Sequence, residues 1–276
     1  SRRRYHKTHV PCVLSACACG ACVAALSGVA ALGHRCLDER CKAVHLAERP
    51  YGLVLASYAE ERLEPGAFIE GEYAEPVAIA AAIVRASSRS GIIAANAALP
   101  ESKSYLFETK IPNVPQDEWR TLVEQHLDEL VPLPLAEAAF DVIPVGYGDG
   151  GIRSLVGIGF ARRVVDSALA MFDAADFEVS ALESEAFAMA RALLPVGDTS
   201  TVLIIDVGKT TTKVAIVVSR IPRFTTTISI GGHAFTLAIQ KHFGVTEQEA
   251  RQVKVERGIM PTPGNEDYLA AMLSTA

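Results

Sequence analysis

Apolar and polar residues alternate with a period of two along Lys42–Ala47 and Gly52–Tyr58, which predicts two strands joined through Arg49-Pro50-Tyr51. The period then changes. Glu75–Ser87 is alanine-rich and predicts a helix with Pro76 in its first turn, and Ile92–Leu99 returns to a strand pattern that stops at Pro100. Tyr105–Lys110 predicts another strand. In Gln116–Val131 the residues Trp119, Leu122, Val123, Leu127 and Leu130 fall at helical spacing, so a single helix with Trp119 in its core is expected, stopped by Pro132. Strands are predicted at Ala139–Val145 and Ile152–Phe160, a helix at Arg162–Ala174, a strand at Phe177–Leu182 and a helix at Ser184–Leu194. Thr201–Ile205 is an unbroken apolar run that predicts a buried strand; Val214–Val218 and Phe224–Ile230 follow as strands, then helices at Ala234–Phe243 and Glu247–Arg257. Strands interleaved with helices imply an α/β sheet.

Composition changes this picture at the N-terminus only. The chain has 276 residues and 29.4 kDa, half of them hydrophobic and 21% charged, which excludes wholesale disorder, collagen-like repeats and a small disulfide scaffold. All six cysteines (Cys12, Cys17, Cys19, Cys22, Cys36 and Cys41) nevertheless fall within the first 41 residues. Residues 1–50 carry eight Lys/Arg and three Asp/Glu, leaving −11 on the remainder against a total of −6. Arg2, Arg3, Arg4 and Lys7 precede Val10–Gly33, 24 residues without a charged side chain. That run is long enough to cross a membrane, but it is rich in Ala, Gly, Ser and Cys and therefore weakly apolar. Three readings stay open: a membrane or export segment, with Leu14-Ser15-Ala16-Cys17 as a lipoprotein-like box; a zinc site; and a non-homologous or disordered leader over residues 1–36, which is preferred. Cys19–Cys22 is the lone CxxC pair, which weakens the zinc reading, and a chain that begins at Ser weakens the signal reading.

Two glycine-bearing segments carry candidate chemistry. Gly146–Gly151 (GYGDGG) joins two predicted strands rather than opening a helix, so it is read as a hairpin turn and not as a phosphate cradle. Asp206-Val207-Gly208-Lys209-Thr210-Thr211-Thr212-Lys213 resembles the end of a P-loop, but position 203 is Leu where that motif needs glycine, and a strand follows instead of a helix. A tight turn remains. Its glycine allows backbone N–H groups to approach phosphate oxygens, Thr210 and Thr211 add hydroxyl donors, Lys209 adds a cation, and Asp206 is placed to hold Mg2+ through water. An ordinary hairpin with a polar tip is the competing reading. Gly231-Gly232, between a strand and a helix N-terminus, is a second place where a nucleotide could meet bare backbone.

Taken together, Ile205–Lys213 (IDVGKTTTK), Ile228–Thr236 (ISIGGHAFT) and Ala250–Gly258 (ARQVKVERG) resemble the second phosphate loop and following segments of the actin-like ATPase superfamily. Within it the chain is most similar to the PilM family of type IV pilus assembly proteins, relatives of FtsA. The likeness runs from about residue 37 to 260 and includes Tyr51–Leu63, Ala94–Pro100, Val131-Pro132-Leu133-Pro134 and Phe177–Leu193. It implies a ribonuclease H-like, two-lobed α/β fold: a first lobe over 37–94 and 166–195, an inserted α+β subdomain over 95–165, and a partial second lobe over 196–276. It also implies a cytoplasmic protein, peripheral to the inner membrane, that binds ATP with Mg2+ and the cytoplasmic tail of a PilN-like inner-membrane protein. Other pilus assembly proteins, pilus biogenesis and twitching motility belong to the same expectation; nucleic acid does not. Carried onto this sequence, Asp206, Gly208, Lys209, Thr210 and Thr211 match the phosphate and Mg2+ turn, Gly231 and Gly232 the glycine pair, and Lys254 a ribose-side lysine.

Three departures qualify the expectation. Counting back from Lys42, Arg35 stands where the family's first phosphate hairpin carries Asp; Arg251 occupies a position where relatives carry Glu; and the chain reaches Ala276 before any Gly-Gly segment that would cup an adenine. The fold is therefore expected to be incomplete at both ends, with weak nucleotide binding and little or no ATPase activity. A small-molecule kinase of the same superfamily would need an intact first phosphate hairpin and a catalytic Asp. A module that works through its Cys-rich N-terminus would depend on residues 1–41.

Overall fold

The computed structural model describes residues 32–37, 40–50, 52–69, 72–88, 94–148, 151–258, 264 and 266–273. All of the possible membrane or export run except Leu32 and Gly33, and four of the six cysteines, lie outside the described residues. Among those described, no helix is long and apolar enough to cross a membrane and no group of three or more His, Cys, Asp or Glu side chains could hold a metal ion. Cys41 is buried.

The chain divides into two compact units, one holding residues up to Val202 together with Ile216–Phe224, the other Leu203–Ala215 and Thr225–Ala276. The first unit contains a five-stranded sheet. β1 (Leu32–Leu37), β2 (Arg40–Arg49) and β3 (Gly52–Arg62) form an antiparallel meander, and β6 (Ala94–Leu99) and β10 (Glu178–Ser184) add parallel strands in the order β10-β6-β1-β2-β3. Leu32–Leu37 is a strand inside this sheet although it falls in the segment read as a leader, because it is paired on both sides. β6 is a strand of the same sheet.

Between β3 and β6 lie a two-stranded hairpin, β4 (Phe68–Ile69) and β5 (Glu72–Tyr73), and helix α1 (Pro76–Ser87). α1 buries Ile79, Ala82 and Ile83 against β2 and β3. They join Leu99, Phe160, Met171, Phe172 and Leu182 in one core.

The insert is an antiparallel sheet, order β7-β9-β8, from β7 (Ser104–Pro112), β8 (Ala138–Gly148) and β9 (Ile152–Ala161). β8 and β9 are antiparallel partners up to Gly148 opposite Ile152, so GYGDGG is a hairpin connection as expected; its central residues lie outside the described set. Its core is separate. Trp119, Val123, Leu127 and Val131 pack with Phe107, Phe140 and Leu155. The helix expected over 116–131 is in fact two, α2 (Gln116–Glu124) and α3 (Leu127–Leu130), interrupted where His126 leaves the helical region at φ −140°. Trp119 is 5% exposed, its Nε1 donates to the Val114 carbonyl at 3.1 Å, and the Arg153 guanidinium lies 4.8 Å from its ring.

Helix α4 (Arg162–Ala174) follows β9, and helix α5 (Glu185–Leu193) follows β10 with Ser184 as its N-cap, its Oγ accepting from the Phe187 amide. Three glutamates are buried near the ends of β6 and β10. Glu185 accepts the Glu101 amide and Glu101 accepts the Ala186 amide, each at 3.0 Å, a reciprocal clasp that satisfies both carboxylates with backbone donors. Glu183 pairs with Arg191.

β11 (Thr201–Val207), β12 (Thr212–Val218) and β13 (Ile221–Ile228) form a three-stranded sheet in that order. Only part of the buried strand expected at 201–205 is buried: Ile204 is 7% exposed, whereas Leu203 and Ile205 are both 58% exposed. Apolarity marks the strand but not how much covers it. Arg223 on β13 makes a two-bond ion pair with Glu108 on β7, at 2.5 and 2.8 Å. The second unit adds α6 (Gly232–Phe243), α7 (Glu247–Arg257) and α8 (Glu266–Leu273), packed through Ile239, Ala250, Tyr268 and Met272. Gly244 at φ 65° ends α6, and a Thr246–Glu249 capping box starts α7.

Two predictions follow from these cores. Phe107 lies directly opposite Gly157, and a Cβ at 157 would stand 2.1 Å from the Phe107 ring. Gly157→Ala should cost about 1–3 kcal/mol by overpacking, read by urea denaturation, and most of that cost should be recovered when Phe107→Leu is added. Burial holds the Glu183 carboxyl above the ordinary carboxylate range, with Arg191 pulling the other way. The stability this group contributes is full below its unfolded pKa and is lost as pH rises through its higher native value. The Tm of the unmodified chain should therefore fall relative to Glu183→Gln as pH rises from below 4.5, followed by calorimetry.

Candidate functional site

The turn between β11 and β12 is the first candidate, and it lies wholly in the second unit. The Gly208 amide donates to the Thr211 carbonyl at 2.8 Å, closing a tight hairpin with Lys209 and Thr210 exposed at its tip. A Cβ on Gly208 would stand 2.8 Å from that same carbonyl oxygen, so the position requires glycine.

The glycine pair meets this turn directly. Gly231 is the N-cap of α6, and a Cβ there would lie 2.6 Å from the Lys209 carbonyl oxygen and 2.8 Å from that of Gly208. The Gly232 amide donates to the Gly208 carbonyl and the His233 amide to the Lys209 carbonyl, both at 2.8 Å. Thr212 ties the neighbouring strands by donating its Oγ1 to the Ile230 carbonyl at 2.7 Å. The pair thus lets two backbone segments touch, and two N–H groups at the helix start are spent on carbonyls of the turn.

Lys254, expected on the ribose side, points from α7 into the first turn of α6. Its Nζ donates to the Gly232 carbonyl and, at 2.7 Å, to Thr236 Oγ1. Desolvation, with Arg251 nearby, holds its pKa below the ordinary lysine value. Asp206 stands two residues before Gly208 and is 27% exposed; its Oδ2 lies 3.9 Å from Nζ of Lys213, whose side chain is 9% exposed. The sequence-predicted residues Asp206, Gly208, Lys209, Thr210, Thr211, Gly231 and Gly232 are therefore gathered at one turn, with Lys254 behind it.

Lys213, Thr236 and the His233 amide were absent from the predicted set. Lys213 left a trace in the sequence, because it shares its strand parity with Ala215 and Val217, both buried, and a charge in an inward register asks for a counter-charge.

A second candidate lies in the first unit. A cavity of about 400 Å3 is lined by Ile69, Glu72, Tyr73, Lys103, Arg163 and Val164 among others. Glu72 joins its two cations, 2.5 Å from Arg163 and 3.4 Å from Lys103, and the Arg163 hydrogen bond holds the Glu72 carboxyl below the ordinary glutamate range.

The sequence pattern of the family described as type IV pilus assembly protein PilM matches residues 38–274. The chain belongs to the PilM family. Its fold is similar to that of a chain in a PilM–PilN type IV pilus biogenesis complex, with a TM-score of 0.73 at 23% identity over 89% of this chain and 74% of that one. A more distant likeness, TM-score 0.50 at 12% identity over 78% and 77%, is to the cytoplasmic domain of EpsL, an inner-membrane component of the type II secretion system of Vibrio cholerae. The α/β actin-like ATPase fold expected from the three linked motifs is thus the fold of this PilM-family chain. Arg35 on β1 lies directly opposite Lys42 on β2.

Gly231→Ala should break the contact between the turn and α6, costing about 2 kcal/mol or more. Hydrogen exchange checks it: protection of the Gly232 and His233 amides should fall more than that of the β7–β9 ladder.

Proposed function

We propose that this chain is an assembly scaffold of the type IV pilus machinery which takes the cytoplasmic tail of a PilN-like inner-membrane protein and binds adenine nucleotide weakly, with little or no hydrolysis. Family membership over residues 38–274 carries the reading, and the likeness to a chain solved with PilN supports the choice of partner. On this reading the protein works in the cytoplasm and reaches the inner membrane through that partner, in company with other pilus assembly proteins. Pilus biogenesis and twitching motility are the processes it would serve.

The tail is assigned to the cavity beside the β4–β5 hairpin. Ile69, Tyr73 and Val164 offer apolar surface, while Arg163, Glu72 and Lys103 offer charges to fix backbone carbonyls and polar side chains of an extended segment. Nucleotide is assigned to the Gly208 turn, where the Lys209 cation and the Thr210 and Thr211 hydroxyls stand at the tip. Weak binding is the reading because α6 donates its Gly232 and His233 amides to the turn itself, and because Arg35 replaces a carboxylate of the first hairpin. The same replacement removes support for a kinase.

A synthetic PilN-like cytoplasmic tail should bind the full chain in titration calorimetry, and Arg163→Glu should weaken it by about tenfold or more. Phosphate release from ATP should stay at background. Rapid turnover without peptide binding would overturn the scaffold reading.

A further inference from the structure

Mg2+ accompanies ATP in the expectation drawn from the motifs, and Asp206 is the residue assigned to it. The surroundings of Asp206 do not fit that ion. Mg2+ is held by oxygen donors in a near-octahedral shell, through one or two carboxylates together with phosphates and water. Among the described residues no group of three or more His, Cys, Asp or Glu side chains could hold a metal ion, and the charge facing Asp206 Oδ2 at 3.9 Å is the ammonium of Lys213.

Lys213 is built into this place. The Gly208–Thr211 hydrogen bond sets the hairpin register, and Asp206 and Lys213 stand two residues further along each arm. Lys213 points to the same side as the buried Ala215 and Val217 and keeps only 9% of its side chain exposed. An ammonium with so little exposure gains from a nearby negative charge, and Asp206 supplies one. A divalent cation at Asp206 would have to lie beside that fixed positive charge.

We propose that Lys213 is the resident cation of this turn, occupying the electrostatic role assigned to Mg2+, so that phosphate groups are taken up here without a divalent metal. The proposal rests on the nucleotide reading above for its ligand, but its central claim, exclusion of metal from Asp206, is independent of it. In this arrangement Lys213 neutralises Asp206, which would otherwise repel an incoming phosphate, and leaves Lys209 and the threonine hydroxyls of the turn to make the contacts. Lys213 is a positioning residue, acting through Asp206.

The test uses the full chain with Mn2+ as the probe, free Mn2+ being followed by electron paramagnetic resonance. The difference between the unmodified chain and Asp206→Asn isolates this turn from histidines and cysteines elsewhere. No difference is expected. Lys213→Met should gain Mn2+ affinity by about tenfold or more, and the gain should vanish in Lys213→Met/Asp206→Asn. Lys213→Arg keeps the charge and should behave as the unmodified chain. Each variant is checked for folding by circular dichroism, and Lys213→Gln takes the place of Lys213→Met should the latter unfold. Mn2+ held by the unmodified chain and released by Asp206→Asn overturns the proposal, as does a folded Lys213→Met that gains nothing.

Calorimetry with ATP supplies the second arm. Affinity in EDTA and in MgCl2 should agree within about twofold, and a tenfold gain with Mg2+ overturns the proposal. Absence of ATP binding in both buffers overturns the nucleotide reading instead, and the Mn2+ comparison then decides the role of Lys213 alone.

Discussion

Two backbone carbonyls, those of Gly208 and Lys209, accept hydrogen bonds from the first amides of α6, and the second unit is organised around that junction. It exists because Gly231 has no side chain: a methyl group there would press on both carbonyls at once. The start of the helix is thereby set against the tip of a hairpin. Lys254 then reaches from α7 to the Gly232 carbonyl and Thr236, so the position of a second helix depends on the same few atoms. Further along, Ile239, Ala250, Tyr268 and Met272 close the helical layer with ordinary apolar packing.

This junction changes the meaning of a helix N-terminus. Such an end usually offers unpaired N–H groups to an anion. Here the Gly232 and His233 amides satisfy carbonyls of the chain, so a ligand must rely on the turn that the helix steadies rather than on these helix amides. Below the turn, the Asp206 carboxylate and the Lys213 ammonium face each other at 3.9 Å.

Most elements were visible in the pattern of residues because their determinants are local. Glycine at a hairpin, proline in the first turn of α1 and the capping box of α7 act within a few residues of themselves. What escaped was non-local. Leu32–Leu37 is a strand because β2 and β6 lie on either side of it, not because its sequence alternates. The helix expected over 116–131 breaks at His126, and nothing in its apolar spacing marks that residue. The exposure of Leu203 and Ile205 was equally hidden, since hydropathy reports a preference for cover and not its presence.

The candidate residues divide in the same way. Sequence alone determined that Asp206, Gly208, Lys209, Thr210 and Thr211 belong to one turn and that Gly231-Gly232 opens a helix, because both are matters of a few adjacent residues. Tertiary structure decided what those groups face. It turned Lys254 toward a helix cap, joined the glycine pair to the turn instead of leaving it bare, and placed Lys213 against Asp206. The first two depend on segments brought together from different elements, and the third on the register of one hairpin, where distance and desolvation, rather than residue type, assign a charge its partner.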